Sequence, residues 1–469
     1  MPSPPDNTEI DNAAQRRPAL LVAVVSSFLT PFMISSVNIA LPAMARDLGM
    51  DAVTTSWVAT SYLLTAAVCL VPAGRWADIH GRKRLFLQGI VLFTTAALLS
   101  GLSTTSGMMI AARCLQGAGS AMIFGTSIAI LSSVYPPQER GRVLGITVAA
   151  VYLGLSLGPF AGGLITQHMG WRWLFFAAIP AGVFVITLVV IMLHGEWAGA
   201  AGESFDIPGT LLYATGLTAL LGGMTTLPSR SGVAAALAGM ATLLGFFAWA
   251  ARRPAPVLDI GLFRHNRVFA FSCLAALIHY GATFAVTFLL SLYLQHIRHL
   301  TPQAAGTILV AQPVMMALFS PMAGKLSDRV EPRFIASFGM ALTAAGLALL
   351  ALIDTATPTA WVLGTLMLMG FGFALFSSPN MNAIMGAVAP RFYGTASGMV
   401  GTMRLLGQVF SMAVATLLFS LLIGPHALTP EVYPELLLSI TSALWMFSGL
   451  CAAGIGFSIF RGKLREDAP

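Results

Sequence analysis

The sequence predicts an all-α membrane protein of about fourteen spanning helices. Three observations carry this: very low charge, a regular series of long apolar runs, and a strong sidedness of the basic residues. The chain has 469 residues, of which 57% are hydrophobic and 9% charged, with a mean hydropathy of +0.81. A soluble domain carries about 25% charged residues. So large a deficit leaves too little polar surface to cover a water-soluble globule, and most of the chain must face lipid or other apolar helices. The 46 glycines and 26 prolines fit this class, because neighbouring helices in a bundle can satisfy the backbone groups that proline frees.

A helix needs about 20 apolar residues to cross a bilayer. Runs of that size fall at 19–42, 53–74, 84–103, 107–132, 142–167 and 172–193. Two follow at 208–227 and 231–250, and six more at 267–293, 304–324, 333–353, 359–387, 394–423 and 437–460. With an even number of spans, the termini and every second loop share one side. That side holds nineteen of the 25 Lys and Arg residues, against four, Arg46, Arg172, Arg230 and Arg298, on the other. The basic side is expected to be cytoplasmic, with both termini there. The net charge of +7 therefore reads as topology rather than as a nucleic-acid footprint. The polar start, Met1 to Arg17, precedes an apolar run too long for a signal peptide, so no cleavage is expected. Cys69, Cys114, Cys273 and Cys451 all lie inside apolar runs without paired spacing, which points to core packing and to no disulfide framework or metal site.

The chain repeats itself weakly. Gly74-Arg75-Trp76-Ala77-Asp78, after the second span, returns as Gly324-Lys325-Leu326-Ser327-Asp328, an offset of 250. Arg140-Gly141, entering the fifth span, has a counterpart at Tyr393-Gly394, an offset of 253. The matching residues are the polar ones in loops, where chance similarity between apolar runs does not reach. This predicts two six-helix bundles, at 19–193 and 267–460. A linker at 194–266 would carry an extra helix pair, with cytoplasmic tails at 1–18 and 461–469.

Three motifs carry chemistry. The loop from Gly74 through Asp78, Gly81 and Arg82 to Arg84 places glycines for a tight turn, basic residues for the cytosol, and one carboxylate. Asp78 can pair with a basic group or with a helix N-terminus. A plain basic anchor would need neither the Asp nor both glycines. This stretch looks like the signature loop of the major facilitator superfamily, and the degraded copy ending at Asp328 and Arg333 supports the likeness. The resemblance implies a major facilitator fold, with Asp78 in a charge-linked latch between the halves. The fourth span opens with Arg113-Cys114-Leu115-Gln116-Gly117. An Arg in lipid is costly and marks a functional candidate. The pattern resembles the superfamily motif whose Arg is linked to proton transfer, while snorkelling to the interface is the plainer reading. The fifth span contains Gly154, Gly158, Pro159, Gly162 and Gly163. Small residues four apart let helices approach closely and Pro159 can bend the helix. This resembles the antiporter motif of the superfamily, and is not repeated near Ser411-Met412-Ala413.

The layout, Ser36 to Pro42 with Asn38, Asp206-Ile207-Pro208-Gly209 and the run from Arg404 to Gly407 resemble the fourteen-helix drug:proton antiporter branch. There is one departure. Those pumps carry an Asp five residues before the Asn, where this chain has Met33. No Asp or Glu lies in the interior of any predicted span. The charged or titratable groups within the spans are instead Arg113, Arg404 and His279. His279 is a candidate proton carrier, or a satisfied neutral histidine. Arg404 and Gln408 lie one turn apart on one face, and Asn380 and Asn382 flank Pro379 with Ser377 and Ser378. With Asn38 and Gln116 these are the candidate cavity residues. A cavity lined by Arg and amides without an acid favours anionic or neutral amphipathic solutes.

The function expected is proton-coupled export of small organic molecules by alternating access across the inner membrane, with export or exchange of an organic anion as the alternative. A membrane enzyme or receptor is disfavoured. No His, Asp, Glu or Cys cluster lies near an interface, no Walker loop is present, and the longest non-apolar stretches are under twenty residues. The partners expected are substrate, protons and lipid, without nucleic acid or cofactor, and the chain is expected to act as a monomer.

Overall fold

The computed structural model describes residues 7–50, 52–226, 229–424 and 430–464. The outermost parts of both predicted tails lie outside the described residues. Among the described residues, fourteen helices are long and apolar enough to cross a membrane. They are α1 Ala14–Asp47, α2 Trp57–His80, α3 Arg82–Gly101, α4 Ser106–Val134, α5 Pro137–His168, α6 Arg172–Met192 and α7 Ile207–Met224. The rest are α8 Arg230–Ala250, α9 Arg267–Ile297, α10 Gln303–Ser327, α11 Pro332–Leu350, α12 Thr359–Gly386, α13 Pro390–Leu422 and α14 Pro430–Ile459. The count agrees with the sequence. Their apolar residues extend well onto the outside: Phe160, Ile191, Leu237 and Leu421 are among the most exposed in the chain. In water each would cost about 1.5–3 kcal/mol relative to burial, whereas lipid tails accept them.

The chain forms two compact units. The first comprises residues 1–210, 253–259 and 388–402. In it α1 packs on α5, α4 on both α2 and α3, and α3 on α6. The second comprises 211–252, 260–387 and 403–469. There α12 packs on both α10 and α11, α11 on α14, and α9 on α14. α7 and α8 form a close hairpin in which Gly216, Gly223 and Gly239 each lie against the facing helix and Tyr213 meets Phe246, ring centroids 5.5 Å apart. Asp206 caps the start of α7 by accepting from the Gly209 amide at 3.0 Å, which gives that motif a local structural purpose.

Two spans are less regular than the hydropathy suggested. α9 is regular over Arg267–Thr283, breaks, resumes over Val286–Leu292 and ends in a π-turn at Tyr293–Ile297. At the break the Ala285 N–H donates to Ser411 Oγ of α13, 3.0 Å away. Non-helical backbone at membrane depth survives only with such a partner. α10 breaks between Pro302–Leu309 and Ala311–Ser327.

The glycine motif of α5 is an interface with α1. Gly154 faces the Phe28 carbonyl, Gly158 the Ser35 side chain, and Gly162 the backbone of Ser36. Ser36 Oγ donates to the Gly158 carbonyl at 2.9 Å, and Ser35 Oγ to that of Leu155 at 3.0 Å. Pro159 is exposed, and Gly163 is half-buried with only Ile39 near it.

Candidate functional site

The most completely satisfied polar cluster of the first unit surrounds Asp78, whose side chain is fully buried. Its Oδ1 accepts from Arg82 Nε at 3.1 Å and Arg82 Nη2 at 2.7 Å, and from the Gly394 N–H at 2.8 Å. Its Oδ2 accepts from the Thr395 N–H at 2.8 Å and Thr395 Oγ1 at 3.1 Å. The two readings left open by the sequence, a basic partner and a helix N-terminus, are therefore both realised at once. The Gly394 and Thr395 amides belong to the first turn of the helix over Tyr393–Leu422, where orphan N–H groups and the helix dipole favour a carboxylate.

Arg82, from the same loop, turns inward rather than to solvent. It is 2% exposed and donates from Nη1 to Ser133 Oγ at 2.6 Å and from Nη2 to the Pro390 carbonyl. Its guanidinium also lies 5.3 Å from the Tyr393 ring centre. Gly74 and Gly394 are the reason the helices come so close: a Cβ on either would run into the other's carbonyl. Gly81 has φ +115°, which favours glycine, and a side chain there would strike Glu196. In the second unit Asp328, at the end of α10, lies near Asn382, whose Nδ2 donates to Ser327 Oγ at 2.9 Å.

A second cluster surrounds Arg113, 1% exposed within α4. Nε donates to the Val58 carbonyl at 3.0 Å and Nη1 to Gln116 Oε1 at 2.5 Å. The guanidinium sits 4.4 Å from the Tyr62 ring centre. So complete a set of inward partners argues against snorkelling. The Gln116 Nε2 and Ser61 Oγ atoms are buried without a hydrogen-bond partner among the described residues.

The remaining candidates do not converge on one place. His279 is fully buried between Phe376 and Phe373, ring centroids 4.0 and 4.7 Å away. Its Nδ1 is 3.8 Å from Cys451 Sγ, and its Nε2 has no hydrogen-bond partner among the described residues. Asn380 is tied into a network: Nδ2 donates to the Ser272 carbonyl at 3.0 Å, and Oδ1 accepts from Arg461 Nη1 at 2.7 Å. Arg404 and Gln408 are half-buried, and Asn38 is exposed. Arg404 has an interaction of its own within the protein, so the anion-favouring argument from a lone Arg404 loses force. Asp354 is exposed in the loop after α11, where Thr357 Oγ1 at 2.7 Å and the Ala356 N–H at 2.9 Å hold its carboxyl below the usual range. It stays ionised at neutral pH and is poorly suited to relay protons.

Sequence reasoning missed Thr395, Ser133, Tyr62, Glu196, Glu203 and Arg461. Only the Tyr393-Gly394 repeat pointed towards Thr395. The others come from positions with no motif.

A buried carboxylate holding a helix start, in a duplicated bundle of fourteen apolar helices, defines a membrane transporter fold. Residues 23–412 match the model of the Major Facilitator Superfamily, and the chain belongs to that family. It is 30% identical over 452 residues to the riboflavin transporter RibZ of Clostridioides difficile, covering 94% of this chain and 96% of that one. It is 32% identical over 409 residues to the cephamycin export protein CmcT of Amycolatopsis lactamdurans, covering 84% and 83%. Among solved structures, that of the human organic anion transporter MFSD10 (TETRAN) superposes with a TM-score of 0.68 at 16% identity, covering 94% of this chain and 99% of that one. At that identity the likeness speaks for the fold.

Proposed function

We propose that this transporter exports small organic molecules across the inner membrane by proton antiport and alternating access, with both termini in the cytoplasm. The observation that carries the reading is the Asp78 cluster. One carboxylate joins residues 316 positions apart in sequence through hydrogen bonds to a helix start, a contact that can be made and broken as a unit. In this reading it is the latch, on the cytoplasmic side, of one state of the cycle. Export is supported by the likeness to the cephamycin exporter, and a planar organic solute by the likeness to the riboflavin transporter.

Arg113 is the leading residue for coupling. It is a charge held in the interior of a span, in contact with an aromatic ring and an amide rather than an acid. A proton or an anionic group arriving there changes the local charge balance in a medium of low dielectric. The organic-anion alternative keeps one support: among the described residues, every Asp and Glu in a span lies near its end.

The test uses purified protein in liposomes with an internal pH-sensitive dye. Riboflavin, a cephamycin carboxylate and tetraphenylphosphonium are offered in turn. Substrate-driven proton movement, abolished by Arg113→Gln, is the expected result. Substrate movement without any proton flux would refute antiport, and export of the phosphonium alone would refute the anion alternative.

A further inference from the structure

We infer that the segment joining α6 to α7 is a strap that fastens the signature loop to the start of α13, and so sets how readily Asp78 releases Gly394 and Thr395. The inference rests on the latch reading above. Glu196 and Glu203 are its positioning residues.

The attachments are successive along the segment. Glu196 Oε1 accepts from the Lys83 N–H at 2.8 Å and Oε2 from the Arg84 N–H at 3.1 Å. These are first-turn amides of α3, which have no partner inside their own helix. The Arg82 N–H donates to the Trp197 carbonyl at 3.0 Å, and the Ala200 N–H to the Asp78 carbonyl at 2.8 Å. Glu203 pairs with the buried Arg75 at 2.5 Å, and Phe205 sets its edge against Trp76, centroids 5.0 Å apart. Between these contacts, Gly199 lies so close to Pro390 and Arg391 that a Cβ would overlap their backbone.

A passive linker would leave its polar backbone to water. This one gives the Ala200 amide, the Trp197 carbonyl and the carboxylates of Glu196 and Glu203 to Asp78 and the residues around it, and its one tight glycine to the residues just before Gly394. Parting of Asp78 from Gly394 is opposed by the Ala200–Asp78 hydrogen bond and the Gly199–Arg391 contact together. The second unit repeats the device with its polarity reversed. After α14, Gly462 turns the chain with φ +100°, and the Leu464 N–H donates to Glu331 Oε2 at 3.2 Å at the start of α11.

The test reads exposure of the start of α13 directly and needs no substrate. Ser397 is fully buried, and Ser397→Cys in detergent-purified protein reports its exposure through maleimide labelling of that peptide, read by mass spectrometry. Glu203 is more than a third exposed, so Glu203→Gln is compatible with folding. Phe205→Ala loosens the same segment without altering charge. Each is expected to speed labelling about fivefold, the effect of losing one modest contact from the closed state. Unchanged labelling in both overturns the strap if Asp78→Asn still speeds it. Unchanged labelling in Asp78→Asn as well overturns the latch on which the strap rests.

Discussion

Replacing Asp78 with Asn keeps the shape of the side chain and removes its charge. In the structure five hydrogen bonds converge on this carboxylate, two of them from the buried guanidinium of Arg82. Removing one member of a buried ion pair costs about 3–5 kcal/mol, because the other charge is left uncompensated. Asn retains one carbonyl acceptor, and Arg82 keeps Ser133 and Pro390, so about 2–3 kcal/mol is the expected loss. That loss falls on the state in which Asp78 is engaged. In a disengaged state water can solvate Arg82. The balance between the two should therefore shift roughly 30- to 150-fold towards release. The assay pairs transport in liposomes with the melting temperature of the same protein. Transport should fall steeply while the protein still inserts and folds, since the basic loop residues that set topology are intact. Unchanged transport with an unchanged melting temperature would reduce Asp78 to a spacer and refute the reasoning.

Other expectations follow from the same contacts. Gly162→Ala should lower the melting temperature, with a cost of about 1–3 kcal/mol from overpacking, because its Cβ would lie 2.8 Å from Ser36. Gly163→Ala, whose nearest neighbour is Ile39 at 3.8 Å, should leave the melt unchanged, and equal effects would contradict the α1–α5 interface. Arg461→Ala should destabilise by about 1–3 kcal/mol by leaving buried Asn380 Oδ1 without its donor, a loss visible in thermal melts. Arg404→Lys should retain transport of a carboxylate substrate better than Arg404→Gln; equal losses with lowered melts in both would mark Arg404 as structural. Reporter tags at positions 6 and 468 should both register cytoplasm and one at Ser229 periplasm, and a periplasmic signal from either terminus would break the orientation.

Much of the fold was legible because lipid imposes a simple rule. Every backbone group must be satisfied within its own helix, so each span has to appear as a long apolar run. The fourteen runs were visible for that reason, while the repeat at offset 250 showed in the polar loop residues between them and the α5 contact in its glycine spacing. The break in α9 was not, since the residues around Thr283 and Ala285 are as apolar as their neighbours and the compensating hydroxyl, Ser411, lies 126 positions away. The candidate cavity set was the least legible. Composition marks a polar residue inside a span but not what it faces, and Asn380 proved to be bound by Arg461 and Ser272.

The sequence by itself determined the class, the number of spans and the presence of an acid in the signature loop, because hydropathy and charge are properties of single residues summed along a chain. Tertiary structure alone decided what that acid does. Asp78 meets Arg82 four residues away, across the turn at Gly81, but its other partners, Gly394 and Thr395, are 316 and 317 residues distant. They come within 2.8 Å only because Gly74 and Gly394 have no side chains to hold their helices apart. A hydrogen bond depends on distance and direction in space, and neither is written in the spacing of residues along the chain.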